Sequence, residues 1–431
     1  ADTDHVLGHE MVHVFQYDLA ATDFDTLQVA LERMPLWFVE GLAEYLSIGR
    51  NDPQTSMWLR DAVIRNKFPT VQKLSDPRYF PYRFGHAFWA FVGATWGDNV
   101  IPALFRAVGG LGLERGIPYA LGVSADSLSH RWAETVRSLE QPVAQSRRAP
   151  ESFAGILLSE KTGSGTMNIS PVLSPDGRYV TFLSEKDLFT VELFLADART
   201  GKVIGKLTDS EADPHFGALR FIDSAGTWSP DGKRLAYVVT RKGDNVLAIL
   251  DVDDRDVVRR IRLPGRESMS NPSWSPDGRS IVVSANHSGI SDLYLIDLES
   301  GQSRRLTDDK YADLQPSWSP DGRTIAFATD RGPDTNFEAL RYGRLRIGLY
   351  DLASGNIRLL EPFPGAKHVD PQFSADGGSL YFLSDRDGVS DVYRLELGSG
   401  APFRVTSVQT GVTGITDLSP ALSVSRLSLI H

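Results

Sequence analysis

The pattern of hydrophobic and polar positions changes near residue 150 of the chain. Before that point, apolar residues recur three and four positions apart, a spacing that predicts α-helices. In the first of these segments the apolar positions are Val6, Leu7, Met11, Val14 and Phe15. Further helices are predicted over 36–48, 84–96, 100–108 and 124–139. We therefore expect a helical domain over residues 1–140.

After Ser152, short β-rich runs alternate with turns rich in Gly, Asp, Pro and Ser, which is typical of an all-β domain. The preceding stretch, 141–152, contains Pro142, Arg147, Arg148 and Pro150 and is interpreted as a linker. The β-rich domain is accordingly expected over 153–431.

A repeat organises this second region. Ser-Pro-Asp-Gly followed by Arg or Lys occurs at 174–178, 229–233, 275–279 and 319–323, with a degenerate copy at 374–378 and a sixth start at 417–423. The serines of the six copies, at 174, 229, 275, 319, 374 and 423, are separated by 55, 46, 44, 55 and 49 residues, the length of one four-stranded blade with variable loops. Pro fixes φ and Gly accepts positive φ, so each copy predicts a turn between two strands.

Repeats of this kind resemble those of the TolB-like β-propellers, and the resemblance covers about 153–430. It implies a six-bladed all-β propeller that hides its sheet edges by radial stacking. In an alternative arrangement, residues 153–158 form a strand that completes the first blade by pairing with a C-terminal strand. By analogy the resemblance also implies a bacterial envelope protein that is periplasmic, exposed at the cell surface or secreted, with a protein partner on the propeller.

The first helix carries the motif His-Glu-x-x-His at His9, Glu10 and His13. Residues four apart share a helix face, so both imidazoles can reach one metal ion, while Glu10 is offset and can reach a water. This geometry explains why the spacing recurs in zinc peptidases. A helix with two ordinary histidines and a solvated glutamate would match the same sequence motif, so the motif needs support from its context.

That context lies 27 residues after His13, where Glu40 stands in Trp37-Phe-Val-Glu40-Gly-Leu-Ala-Glu44-Tyr45. The segment resembles the Trp-x-x-Glu-Gly-x-Ala-x-Tyr motif of gluzincin peptidases similar to aminopeptidase N. The resemblance implies a helical zincin-like metallopeptidase subdomain, in which Zn²⁺ is held by His9, His13 and Glu40. Glu44, one turn further on, is expected to orient a ligand histidine.

Two histidines and one carboxylate leave an open coordination position, which is the catalytic arrangement of zinc. Glu10 is then the expected general base in the hydrolysis of a peptide bond. Related peptidases stabilise the oxyanion with a Tyr or His, and the candidates here are Tyr82, which we favour, and His86. Arg83 has two interpretations, a substrate-carboxylate ligand or a salt-bridge partner. His5 is a competing ligand on the same face, although Glu40 is the better third partner.

Composition narrows the classes of partner. The formal net charge of -10 argues against nucleic acid or anionic lipid as the main partner, although such a charge is also what keeps many proteins soluble. No apolar run is long enough to span a bilayer. The absence of cysteine excludes disulfides and thiolate zinc sites. Because the chain begins at Ala1 and gluzincins usually carry a β-sheet before the zinc helix, we expect this to be part of a longer protein.

Three functions are therefore compared. The first is a zinc metallopeptidase whose propeller gates a peptide or protein substrate or binds a partner. The second is a non-catalytic interaction scaffold with vestigial peptidase helices. A prolyl-oligopeptidase-type serine hydrolase is the third, and it lacks the Gly-x-Ser-x-Gly elbow and the α/β domain that it needs. Whether a peptidase of this kind is an endo- or exopeptidase is left open by the sequence.

Overall fold

A computed structural model of the chain describes residues 2–20, 33–165, 167–186, 191–208, 226–241, 244–265, 268–414, 416, 418–425 and 429–430. These residues form two compact units. One is helical and comprises Ala1–Pro150 with Val408–Gly411, and the other is β-rich and comprises Glu151–Ser407 with Val412–His431.

The helical unit is built around an aromatic core. In chain order its α-helices are α1 (Asp2–Ala20), α2 (Leu36–Ile48), α3 (Pro53–Ile64), α4 (Pro81–Trp96), α5 (Ile101–Leu111), α6 (Leu113–Leu121) and α7 (Ala125–Gln145). The predicted linker, 141–152, overlaps the end of α7, which continues through Pro142. Among the described residues, no helix combines the length and apolarity that crossing a bilayer requires.

The core of this unit lies between α2 and α4. Trp37, Phe38, Phe88 and Trp89 are buried there with their rings in contact, and the Trp89 indole N–H donates to the Phe38 carbonyl at 2.8 Å. The expected helix α1 is present, but the apolar residues that predicted it are not in this core. Val6, Leu7, Met11, Val14 and Phe15 are all exposed, and the inward residues of α1 are His9, Val12 and Gln16. The apolar spacing thus predicted the helix without predicting which face is buried.

The β-rich unit is a propeller, as predicted, with five four-stranded antiparallel sheets among the described residues. Each sheet has its strands in chain order. The strands are β1 (Asn168–Leu173), β2 (Tyr179–Ser184), β3 (Glu192–Asp197), β4 (Val203–Lys206); β5 (Thr227–Trp228), β6 (Arg234–Arg241), β7 (Asp244–Asp251), β8 (Val257–Ile261); β9 (Ser268–Trp274), β10 (Ser280–His287), β11 (Ile290–Asp297), β12 (Ser303–Arg305); β13 (Asp313–Trp318), β14 (Thr324–Thr329), β15 (Arg346–Asp351), β16 (Ile357–Leu360); β17 (His368–Phe373), β18 (Ser379–Ser384), β19 (Asp391–Glu396), β20 (Pro402–Arg404).

The prediction of six blades is wrong: five sheets are complete, and the sixth repeat forms only the two-stranded sheet of β21 (Ser423–Val424) and β22 (Leu429–Ile430). In the sixth repeat Val424-Ser425-Arg426 stands where four of the other repeats have Pro-Asp-Gly and the fifth has Ala-Asp-Gly. Asp417, where this repeat was predicted to start, lies outside the described residues. Residues 153–158 form no strand, so the proposed completion of the first blade is also wrong.

The sixth repeat nevertheless fills the position between the fifth and first blades. The Asp370 carboxylate accepts from the backbone N–H groups of Ala421 and Leu422, and the Leu173 N–H donates to the Ser423 hydroxyl at 2.9 Å. Burial raises the pKa of Asp370 to about 6, although these bonds favour its charged form. The short segment therefore contacts both the fifth and the first blade through these side-chain hydrogen bonds.

The turns of the repeats use one set of contacts five times. In the fourth blade the Ser319 hydroxyl donates to the Asp321 carboxylate at 2.6 Å and accepts from the Thr324 N–H at 2.9 Å. Gly322 has φ +70°, a conformation that favours glycine. The same serine–aspartate contact occurs at Ser174, Ser229, Ser275 and Ser374. The repeated motif is thus a structural device of each blade.

Candidate metal centre

The predicted ligands meet where α1 packs against α2. His9 Nε2 lies 3.0 Å and His13 Nε2 3.4 Å from the same Glu40 oxygen, Oε2. One potential ligand atom from each of these residues lies within 4.8 Å of the others. The side chains are 11%, 13% and 15% exposed, so they are shielded but reachable from solvent.

These separations can be compared with those of a zinc site. Tetrahedral zinc with bonds of roughly 2.0–2.2 Å places its ligand atoms roughly 3.3–3.6 Å apart. The His13–Glu40 distance of 3.4 Å falls in that range, and the His9–Glu40 distance of 3.0 Å is slightly shorter. Two imidazoles and one carboxylate are also a known ligand set of catalytic zinc. The residues therefore fit a zinc ion in both chemistry and spacing.

Glu44 holds His9 from the other side. Its Oε1 lies 3.1 Å from His9 Nδ1, so the Nδ1–H donates to this carboxylate, and Nε2 is the ring nitrogen that faces Glu40. Its Oε2 accepts from Arg83 at 3.1 Å, and Arg83 also contacts Asp52 at 3.4 Å. Arg83 thus belongs to a buried ion-pair network, which is the second of its two interpretations. Glu44 has the contact that was expected of an orienting carboxylate.

His5 contacts the same oxygen, with its Nε2 3.0 Å from Glu44 Oε1. His5, His9 and Glu44 form the second group among the described residues whose ligand atoms converge. Arg83 lies against this carboxylate and places a positive charge beside it. Among the described residues no Arg or Lys side chain contacts Glu40, so the group around Glu40 is the better metal site.

The electrostatics of the metal-free site follow from the carboxylates. Burial lowers the pKa of His9, but hydrogen bonds and charge from Glu40 and Glu44 outweigh it and raise the pKa to about 9. Burial raises the pKa of Glu44, but His5, His9 and Arg83 bring it well below its ordinary value. Negative charge is thus concentrated on one face of α2. A divalent cation that binds His9 there would have to displace a proton from its imidazole.

Glu10 and Tyr82 lie near these groups. Glu10 is exposed and lies on α1, directly after His9 and three residues before His13. The Tyr82 ring centroid lies 6.0 Å from that of His9. Burial, together with Glu40, Glu44 and Glu10, raises the pKa of Tyr82, so its hydroxyl keeps its proton at neutral pH. A protonated phenol in this position can donate a hydrogen bond.

His86 is placed differently. It is buried on α4, and its Nε2–H donates to the Gly49 carbonyl at 2.7 Å. Burial lowers its pKa, and the described contacts include no partner for Nδ1. Of the two candidates for the oxyanion donor, Tyr82 is therefore the one beside the histidine ligands.

Close packing fixes Glu40 and Glu44. A Cβ on Gly41 would lie 2.2 Å from the Gly85 carbonyl carbon, and a Cβ on Gly85 would lie 2.0 Å from the Trp37 carbonyl oxygen. The glycine that is unfavourable in the interior of α2 is thus required by the contact with α4. The Tyr45 hydroxyl donates to Asp98 at 2.7 Å and anchors the end of the same helix.

Comparison with known proteins concerns the propeller. The family model of the TolB beta propeller domain (PD40) matches residues 222–337. The chain carries a TolB-like β-propeller. It is 32% identical over 115 residues to the Tol-Pal system protein TolB of Gluconobacter oxydans (strain 621H), a match covering 27% of this chain and 23% of that protein. The chain thus matches less than a quarter of the length of this relative.

Two solved structures are also similar. TolB from Acinetobacter baumannii aligns with a TM-score of 0.40 and 22% identity, over 66% of this chain and 60% of that one. The putative TolB from Agrobacterium tumefaciens aligns with a TM-score of 0.45 and 21% identity, over 55% of this chain and 80% of that one.

Proposed function

We propose that the helical unit is a zinc-dependent peptidase, with the TolB-like propeller serving to bind or present protein. The observation that supports this most is the convergence of His9, His13 and Glu40 beside an exposed Glu10. The donor atoms of this cluster match a catalytic zinc site, and their spacing fits one.

In this proposal each residue has one task. His9, His13 and Glu40 hold the ion, and Glu44 keeps His9 in the tautomer that offers Nε2. Bound zinc supplies a Lewis acid that makes water acidic enough to ionise near neutral pH. The Glu10 carboxylate would accept a proton from the water whose oxygen bonds to the carbonyl carbon of the substrate, and would return that proton to the leaving amine as the C–N bond breaks.

Tyr82 completes the set as a hydrogen-bond donor. Its hydroxyl is protonated at neutral pH like that of an ordinary tyrosine, and burial and three carboxylates raise its pKa further. The proton can therefore be shared with the carbonyl oxygen of the substrate as negative charge develops there. Tyr82 is the residue for which this role is proposed, since His86 is buried against Gly49.

The proposal is tested by incubating the purified chain with a mixed peptide library and reading the cleavage products by mass spectrometry. Cleavage should stop after a chelator removes zinc and return when zinc is restored. Cleavage that persists without metal would contradict the proposal, as would its absence from zinc-loaded, folded protein.

A second candidate is a protein-binding scaffold that does not hydrolyse its partner. The family match supports it more directly than it supports the peptidase, because residues 222–337 lie in the propeller. By the same likeness we propose a location in the bacterial envelope. A purified partner that binds with equal affinity before and after chelation, and that stays intact with zinc present, would favour this scaffold.

A further inference from the structure

The second ligand histidine, His13, has a contact that the zinc motif does not include. Gln16 lies three residues further along α1 and is 1% exposed. Its Oε1 is 2.8 Å from His13 Nδ1, and its Nε2 donates to the Val39 carbonyl at 2.8 Å. A buried amide that is bonded at both ends has a defined orientation.

The orientation follows from the partner on α2. A backbone carbonyl can only accept, so the amide nitrogen of Gln16 faces Val39 and the amide oxygen faces His13. An amide oxygen can only accept, so His13 Nδ1 carries the hydrogen. The other ring nitrogen, Nε2, then offers its lone pair towards Glu40, 3.4 Å away.

We propose that Gln16 is a positioning residue of the metal site, which fixes the tautomer and ring orientation of His13. It does for His13 what Glu44 does for His9, but with a neutral amide instead of a carboxylate. Val39 directly precedes Glu40. The Gln16 side chain therefore also connects α1, which carries His9 and His13, to α2, which carries Glu40. The inference rests on the metal site of the proposed function and does not require hydrolysis.

The consequence is measurable in metal affinity. Removing a hydrogen-bond partner of a ligand histidine lowers metal affinity by about 10- to 100-fold. Gln16→Met keeps the length of the side chain and removes both hydrogen bonds. Gln16→Glu keeps an acceptor for His13 Nδ1–H and loses only the donor to Val39, so it should recover most of the affinity.

The full chain is the material for the test. Zinc affinity is measured by competition with a chromogenic chelator, and the Co²⁺-substituted protein is examined by visible absorption, which reports ligand geometry. Circular dichroism of the metal-free proteins checks that each variant is folded. The matched control is Ser129→Ala, which removes a buried hydrogen bond of 2.9 Å from the Val71 N–H in the same unit without touching a ligand.

The inference predicts weaker zinc binding and an altered Co²⁺ spectrum for Gln16→Met, recovery in Gln16→Glu and no change in Ser129→Ala. Wild-type affinity and spectrum in Gln16→Met would overturn it and leave the peptidase proposal standing. Wild-type protein that binds no zinc would overturn both. The expected variant pattern in a protein that cleaves no peptide would support the inference and overturn the peptidase alone.

Discussion

The two units of this chain use polar side chains in opposite ways. In the propeller, a serine and an aspartate form the same contact in each of five turns, at 2.5–2.6 Å. In the helical unit, the cluster of His9, His13 and Glu40 is not part of a repeat. Its side chains converge on one point instead of each closing a local turn. Repetition therefore identifies a polar group as structural, and convergence without repetition identifies a candidate for chemistry.

The largest expected effect tests the chemical side of this comparison. Glu10→Gln removes the proposed proton acceptor, so peptide cleavage should fall by about 1,000-fold. Zinc content should be unchanged, because Glu10 is not among the converging ligand atoms. Initial rates and elemental analysis on the same sample measure both. A variant that retains wild-type activity would remove Glu10 from the mechanism.

The next effect concerns the packing that holds the ligands. Gly41→Ala places a Cβ 2.2 Å from the Gly85 carbonyl carbon, so the helical unit should lose about 3 kcal/mol of stability or more. Gly110→Ala in α5 is the control, because its Cβ would meet nothing within 4 Å. Urea unfolding followed by the helical circular-dichroism signal compares them. Equal midpoints would show that α2 and α4 are not in close contact.

A smaller effect on activity is expected at Tyr82. Tyr82→Phe removes one oxyanion donor and should lower kcat by about 100-fold with little change in KM. His86→Gln, which keeps an amide donor near the Gly49 carbonyl, provides the comparison with the rejected candidate. If His86→Gln loses kcat and Tyr82→Phe does not, the assignment is reversed.

The smallest effect belongs to one copy of the repeated turn. Ser319→Ala removes the bonds to Asp321 and Thr324 and should cost about 1 kcal/mol at neutral pH, against no change for the exposed Ser303→Ala. The Ser319 hydroxyl lowers the pKa of Asp321 below its ordinary value. Its stabilisation is therefore present above the unfolded-state pKa and lost as pH falls through the folded-state pKa.

Chemical unfolding of both variants at neutral and acidic pH measures this difference. The deficit of Ser319→Ala should shrink on acidification, and peptidase activity should be unaffected at neutral pH. A deficit that grows as the pH falls would contradict the assigned role of the serine–aspartate contact.

Much of the architecture follows from the sequence, because the elements repeat or have clear termini. The Ser-Pro-Asp-Gly copies predict the blades, and the apolar pattern predicts α2 with its observed bounds. The blade count failed at the sixth repeat, which forms two strands among the described residues. Helix α3 was overlooked although Asp52 caps it by accepting from the Thr55 N–H, and Pro53 opens it.

The sequence predicted the three converging residues of the candidate site and the neighbouring Glu44, but it did not predict Gln16. Helical spacing relates His9 to His13, and the resemblance to a known motif indicates Glu40. These three residues could therefore be selected from the sequence alone. Gln16 was missed because the partner of an amide depends on how two helices pack, which no spacing within one helix encodes. A signal existed, since Gln16 is three residues after His13 and shares its helix face.

The most direct test of the account is the zinc content per chain after dialysis against a mild chelator, for wild type and for Glu40→Gln. We predict about one zinc ion per wild-type chain and its loss in the variant, because Glu40 Oε2 faces both histidines. Folded wild-type protein without zinc, or a variant that retains it, would contradict the central claim that these three residues form a metal centre.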